Sequence, residues 1–215
     1  SEMCIRDSSG GASGFSASGV RGGRSKGSKS SAEDFAVSGR LDWEPDHGIL
    51  LGASFVTGNT GQNAVTPGGD PIDGNTTIWD IHAQFRRKGL QARVLYVDTE
   101  IEDVARINEF QGFTGDESVG QTQSGWYGEV GYDLLARRTG SRRSLIPYVR
   151  YEDYNTQESV PSGFTLNPAR DVTVSTVGLA WKPIPQVVLK ADWNDISNEA
   201  GTGVDQFNIA LGFLF

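Results

Sequence analysis

The sequence predicts an all-β fold: an antiparallel, up-and-down transmembrane β-barrel. Segments of about ten residues alternate apolar and polar side chains along the chain. The connections between them alternate between tight turns and long loops. The hydrophobic fraction is 37%, low for a buried α/β core, while Gly is plentiful at 28 residues.

Nine strong segments carry this pattern, at about 33–43, 49–58, 76–86, 89–98, 124–135, 144–154, 171–181, 186–196 and 206–215. A tenth, weak one is read in GFSASGVRGG, near 14–22. The short connections are EPDHG, RKG, RRTGSRR and KPIPQ. The long ones fall near 59–75, 99–123, 155–170 and 197–205, and the second is the longest. Residues 1–13, opening SEMCIRDS, have neither an apolar core region nor a small-residue cleavage site. They are no signal peptide and are set aside as a leader of foreign appearance. The barrel is assigned to 14–215, with strong strands from about 32.

Alternate positions sort into two faces. One reads Ile49, Leu51, Ala53, Phe55, then Trp79, Ile81, Ala83, Phe85, and later Val187, Leu189, Ala191, Trp193, without a charge. The other holds Arg40, Asp42, Asp80, His82, Arg86, Arg93, Glu129, Asp133, Arg150, Glu152, Lys190 and Asp192. The charged face must be wet, so these residues are the candidate pore lining. An amphipathic sheet over a soluble core would alternate in the same way, and the tryptophans discriminate. Trp43 and Trp181 are expected at turn ends, and Trp79, Trp126 and Trp193 at loop ends. Two girdles follow, because indole favours the boundary between hydrocarbon and water.

Several classes drop out. No run reaches the roughly 18–20 apolar residues of a membrane-spanning helix. The net charge of −8 and pI near 4.8 give no basic face for nucleic acid. Cys4 alone forms no internal disulfide. Zinc spacings, phosphate-cradling glycine loops and nucleophile elbows are all missing, and DPIDGN at 70–75 lacks the carboxylates of a calcium loop. No cofactor or metal site is identified. A barrel enzyme would need His beside Ser or Asp at the outer rim. His47 falls in a turn, and His82, two residues from Asp80, reads as a hydrogen-bonded lumen histidine; the chain is read as not an enzyme.

DQFNIALGFLF, TVGLAWKPIPQVVLKADW and LIPYVRYEDYN together resemble a Gram-negative outer-membrane porin, nearest the phosphate-selective porins O and P, over about residues 32–215. The resemblance implies an outer-membrane location and lipid and lipopolysaccharide neighbours. It also implies a trimer, and passive diffusion of ions and small hydrophilic solutes. It further implies that Phe207, Ile209, Leu211, Phe213 and Phe215 form a terminal signal read by the barrel-assembly machinery, with the last strand closing against the first. Bacterial barrels have an even strand number, and nine is odd, so a further strand is expected before residue 32 and the chain is read as the carboxy-terminal portion of a larger barrel. Phosphate selectivity is not carried over, because the lumen charges are nearly balanced. A non-conducting structural or ligand-binding barrel is the alternative, its lumen packed shut by Leu95, Val97 and Tyr148.

Glu100, Glu102, Asp103, Arg106 and Glu109 mark the longest loop as a candidate constriction with an acidic, cation-favouring field. A solvated loop, or one holding divalent cations among lipopolysaccharides, fits it as well. Arg86, Arg87, Lys88, Arg137, Arg138, Arg142 and Arg143 make the short turns basic. That suits anionic headgroups or simple solubility.

Overall fold

The computed structural model describes residues 14–20, 34–45, 47–137 and 142–214. The leader 1–13 and the terminal Phe215 lie outside them. Nine strands follow in chain order: β1 Ala36–Trp43, β2 Ile49–Gly58, β3 Thr76–Arg87, β4 Leu90–Ile101, β5 Thr122–Tyr132, β6 Ser144–Ser159, β7 Asp171–Ile184, β8 Val187–Asn198 and β9 Gln206–Phe213. One helix, α1 (Val104–Gln111), interrupts the longest loop. The strands form one sheet in sequence order, and every neighbouring pair is antiparallel.

The turn chemistry explains the tight end. Between β3 and β4, Lys88 and Gly89 take φ of 50° and 91°, the doubly positive geometry whose twist matches a two-residue hairpin. His47 and Gly48 also take positive φ, 90° and 80°, at the end of the five-residue connection between β1 and β2. A side chain on Gly48 would collide with the Arg86 carbonyl, 1.9 Å from its Cβ position.

Register fixes the faces. The outward row on β4 is Leu90, Ala92, Val94 and Tyr96, opposite Phe85, Ala83 and Ile81 on β3 and Tyr132, Val130 and Trp126 on β5. On β9 it is Phe207, Ile209, Leu211 and Phe213, 62–75% exposed. This band is four alternate positions deep on each of these strands, about 20 Å at roughly 3.3 Å per residue. Among the described residues no second layer covers it.

The buried core lies elsewhere. Phe15, Ile72, Ile101, Val104, Ile107 and Val119 pack together at the loop end. Ile101 shares the parity of Val97 and Thr99, so α1 leans over the inward face there. Asn108, wholly buried, ties this cap: its Nδ2 donates to Ser118 Oγ at 2.7 Å and its Oδ1 accepts from Val119 N–H at 3.0 Å. Gln157 Nε2 donates to the Ser118 and Asp116 carbonyls, and its Oε1 accepts from Asn167 N–H. These side chains satisfy loop groups that no strand reaches.

One expectation is corrected. Residues 14–20 form turns and no strand; Phe15 anchors in the cap, and the Phe15 and Ala17 carbonyls accept from Gln111 Nε2 and Thr156 Oγ1. A Gly/Ser-rich alternation lacks the apolar row that would hold a strand in register. β9 and β1 do not pair among the described residues, in keeping with the odd number of strands. Both run from loop end to turn end, so closing nine strands would demand one parallel pair in an antiparallel sheet.

Candidate functional site

The inward face gathers most of the charged candidates into three clusters. On β1–β3, Arg40 Nε donates to Asp42 Oδ2 at 2.8 Å, and His82 Nδ1 lies 2.7 Å from Asp80 Oδ1. With Nδ1–H donated to Asp80, the Nε2 lone pair accepts from Arg40 Nη2 at 2.9 Å; Asp42 Oδ1 stands 3.2 Å away. Ser54 donates to Asp80 Oδ2. Gly52 makes room for this stack, since a Cβ there would sit 2.3 Å from His82 Nε2. Both ring nitrogens are engaged, and Ser54 is bonded to the carboxylate instead of the imidazole.

On β4–β6, Glu129 bridges two arginines: Arg93 Nε at 3.1 Å and Arg150 Nη1 at 4.0 Å. Arg150 Nε pairs with Glu152 at 2.7 Å without hydrogen-bond alignment, and the guanidinium lies 4.0 Å over the Tyr127 ring. Register explains this grouping, because Arg93, Glu129 and Arg150 are direct cross-strand partners. The same row runs through Gln84, Thr176, Asn194 and Gln206, polar from β3 to β9.

On β6, β8 and β9, Tyr148 lies flat over Gly178, whose missing side chain gives it room: a Cβ would meet Tyr148 Cζ at 2.3 Å. Its hydroxyl donates to Asp192 Oδ2 at 3.0 Å, Asn208 donates to Asp192 Oδ1 at 3.0 Å, and Lys190 Nζ stands 4.7 Å from the ring centroid.

Other candidates fall elsewhere. Asp133 is one residue past β5, and its carboxylate accepts from Leu135 and Leu145 N–H at 3.0 and 3.1 Å. It therefore organises the turn and does not line the inward wall. Arg86 has inward parity but sits exposed at the turn rim. In the longest loop, Glu100 shares the outward parity of Tyr96, and Glu102 and Glu109 are exposed. Asp103 Oδ2 accepts from Asp73 and Gly74 N–H, and its Oδ1 pairs with Arg106 at 3.2 Å. The loop acids do not converge, and Asp103 with Arg106 serves to tie α1 to the 59–75 loop.

The tryptophans are exposed on the outward face at 41–62%. They mark the limits of the apolar band more closely than strand ends, because the strands run past it. Beyond Trp126 and Trp193 the next outward residues are Ser124 and Asp195. Trp181 is a correction: β7 continues to Ile184, placing it inside the band. Tyr96 and Tyr151 complete the loop-side row, with ring centroids 5.4 Å from Trp79 and Trp126 respectively. Counting charges passed over Tyr151, and also Ser54, Tyr127, Thr176, Asn194 and Asn208; parity alone, applied to every residue type, would have found them.

No family model matches the chain. It is 27% identical over 198 residues to an uncharacterized protein of Aquifex aeolicus, an alignment covering 89% of this chain and 44% of that protein. In structure it is similar to a porin refined at 1.8 Å, with a TM-score of 0.51, 13% identity, and coverage of 88% of this chain and 54% of the porin. The chain thus spans about half the length of either, and what it shares with the porin is the fold.

Proposed function

We propose that these strands form part of an outer-membrane porin wall and that ions and small hydrophilic solutes cross passively along the inward face. The observation that carries this reading is the register itself: a polar row on one side of the strands, from Gln84 to Gln206, backs onto an uncharged, uncovered apolar band on the other. A surface apolar on one side demands lipid or a partner, while ion pairs and amides on the other demand water. The porin-like fold supports the same assignment. The deeper identification with phosphate-selective porins, the trimer and the contact with the assembly machinery are part of the proposal and rest on the sequence resemblance alone.

The clusters suggest how the wall would treat ions. Acids and bases are paired within the wall, so no continuous basic ladder is presented, and weak ionic selectivity is the expected behaviour. Single-channel recording in a planar bilayer tests this, using the full natural polypeptide that carries these strands. Discrete conductance steps with a small reversal potential under a salt gradient are expected. Silence from protein shown to be folded would favour the alternative, a non-conducting barrel.

A further inference from the structure

The β3–β4 turn presents Arg86, Arg87 and Lys88, and the β5–β6 connection presents Arg137, Arg142 and Arg143, all exposed. These two turns are one surface. Asp133 N–H donates to the Gly89 carbonyl at 2.8 Å, and a Cβ on Gly89 would lie 2.6 Å from that of Ala136. The sequence of both connections contains one acid, Asp133, and its carboxylate is engaged by Leu135 and Leu145 N–H. Six cations therefore share a rim to which these two turns bring no second acid; the adjoining β1–β2 turn, whose Gly48 carbonyl accepts from Arg86 N–H at 2.7 Å, carries Glu44.

The position of the patch selects its partner. Arg87 has the outward parity of Phe85 and stands directly opposite Leu90. Exposed Leu90, Tyr132 and Leu134 adjoin it. A row of cations immediately past the edge of an apolar band is where the phosphates of a lipid leaflet would lie. A soluble polyanion would have no use for the apolar neighbours.

We propose that this turn rim is a docking surface for anionic phospholipid headgroups. The inference rests on the reading that the outward band faces lipid.

Trp181 is a built-in reporter. It is outward, 43% exposed, and the register partner of Leu145, two residues from Arg143. With W43F, W79F, W126F and W193F in place, its fluorescence is quenched by brominated lipid packed against that wall. In phosphatidylcholine vesicles, brominated phosphatidylglycerol is expected to quench at roughly fivefold lower mole fraction than brominated phosphatidylcholine, about what one favourable surface charge contact gives. The advantage should shrink at high salt and vanish in R87Q/K88Q/R142Q/R143Q, with Arg86 left in place. As a second measurement, unmodified protein equilibrated in mixed micelles of the two lipids should retain phosphatidylglycerol preferentially. Equal quenching by both lipids would overturn the proposal, as would a preference that survives in the charge variant. Failure of either lipid to quench the folded protein would overturn the lipid-facing reading itself, a distinct result.

Discussion

Leu189 and Lys190 are adjacent in β8 and face opposite ways, so a pair of substitutions there tests the two faces against each other. Leu189 lies in the outward row between Trp181 on β7 and Leu211 on β9, the second of the four band positions from the turn end. Leu189→Arg would place a guanidinium on the lipid-facing wall. The cost is about 2–4 kcal/mol at mid-depth and less toward the interface, so ~2 kcal/mol is expected here. Lys190→Leu removes a cation 4.7 Å from the Tyr148 ring, a contact of about 0.5–1 kcal/mol at an exposed site. The assay is the denaturant dependence of folding in lipid vesicles, read by the shift in gel mobility between heated and unheated samples. Leu189→Arg should lower the folded fraction far more than Lys190→Leu. Equal effects, or the reverse order, would refute the assignment of faces.

Gly178→Val should destabilise by about 1–3 kcal/mol, the usual cost of overpacking, because its Cβ would displace the Tyr148 ring. Adding Tyr148→Ala should recover much of the loss, measured as a double-mutant cycle in the same folding assay. Asn108→Ala leaves the Val119 N–H unpaired in a buried cap, a penalty of about 1–3 kcal/mol. It should speed proteolysis between residues 102 and 121 while leaving the sheet resistant. Glu129→Gln removes the carboxylate between Arg93 and Arg150; the reversal potential under a salt gradient should then move toward anion preference.

Much of this architecture was legible because a strand needs only its parity to declare a face. Residues 49–58 of the sequence pattern are β2 to the residue, and β9 starts at Gln206, where the last segment of the pattern starts, and runs to Phe213. What escaped has a physical reason. β4 and β6 continue to Ile101 and Ser159, beyond the apolar band, where pairing is kept by backbone bonds and the side chains no longer alternate in hydropathy. The helix in VARINEFQ is flanked by Asp103, left-handed and without a side-chain cap bond, and by the left-handed Gly112, an Asp and a Gly that turns favour equally. Its stability comes from burying Val104 and Ile107 against Ile72 and Phe15, residues far apart in sequence. In the same way, the charge content of the inward face was readable, but the bridging role of Glu129 required the register of β4, β5 and β6 together. The turn role of Asp133 depended on β5 ending at Tyr132, three residues before its alternation does.

The central claim is that water reaches the inward face and lipid the outward one. Neighbours in β9 test it most directly: Asn208 faces inward beside Asp192, and Ile209, 75% exposed, faces outward. In a Cys4→Ser background, Asn208→Cys and Ile209→Cys are each recorded in a planar bilayer while a charged, membrane-impermeant thiol reagent is added to the water. A stepwise change in open-channel current for Asn208→Cys, with none for Ile209→Cys, is the predicted result. Equal reaction rates at the two positions, or a current altered only through Ile209→Cys, would contradict the account.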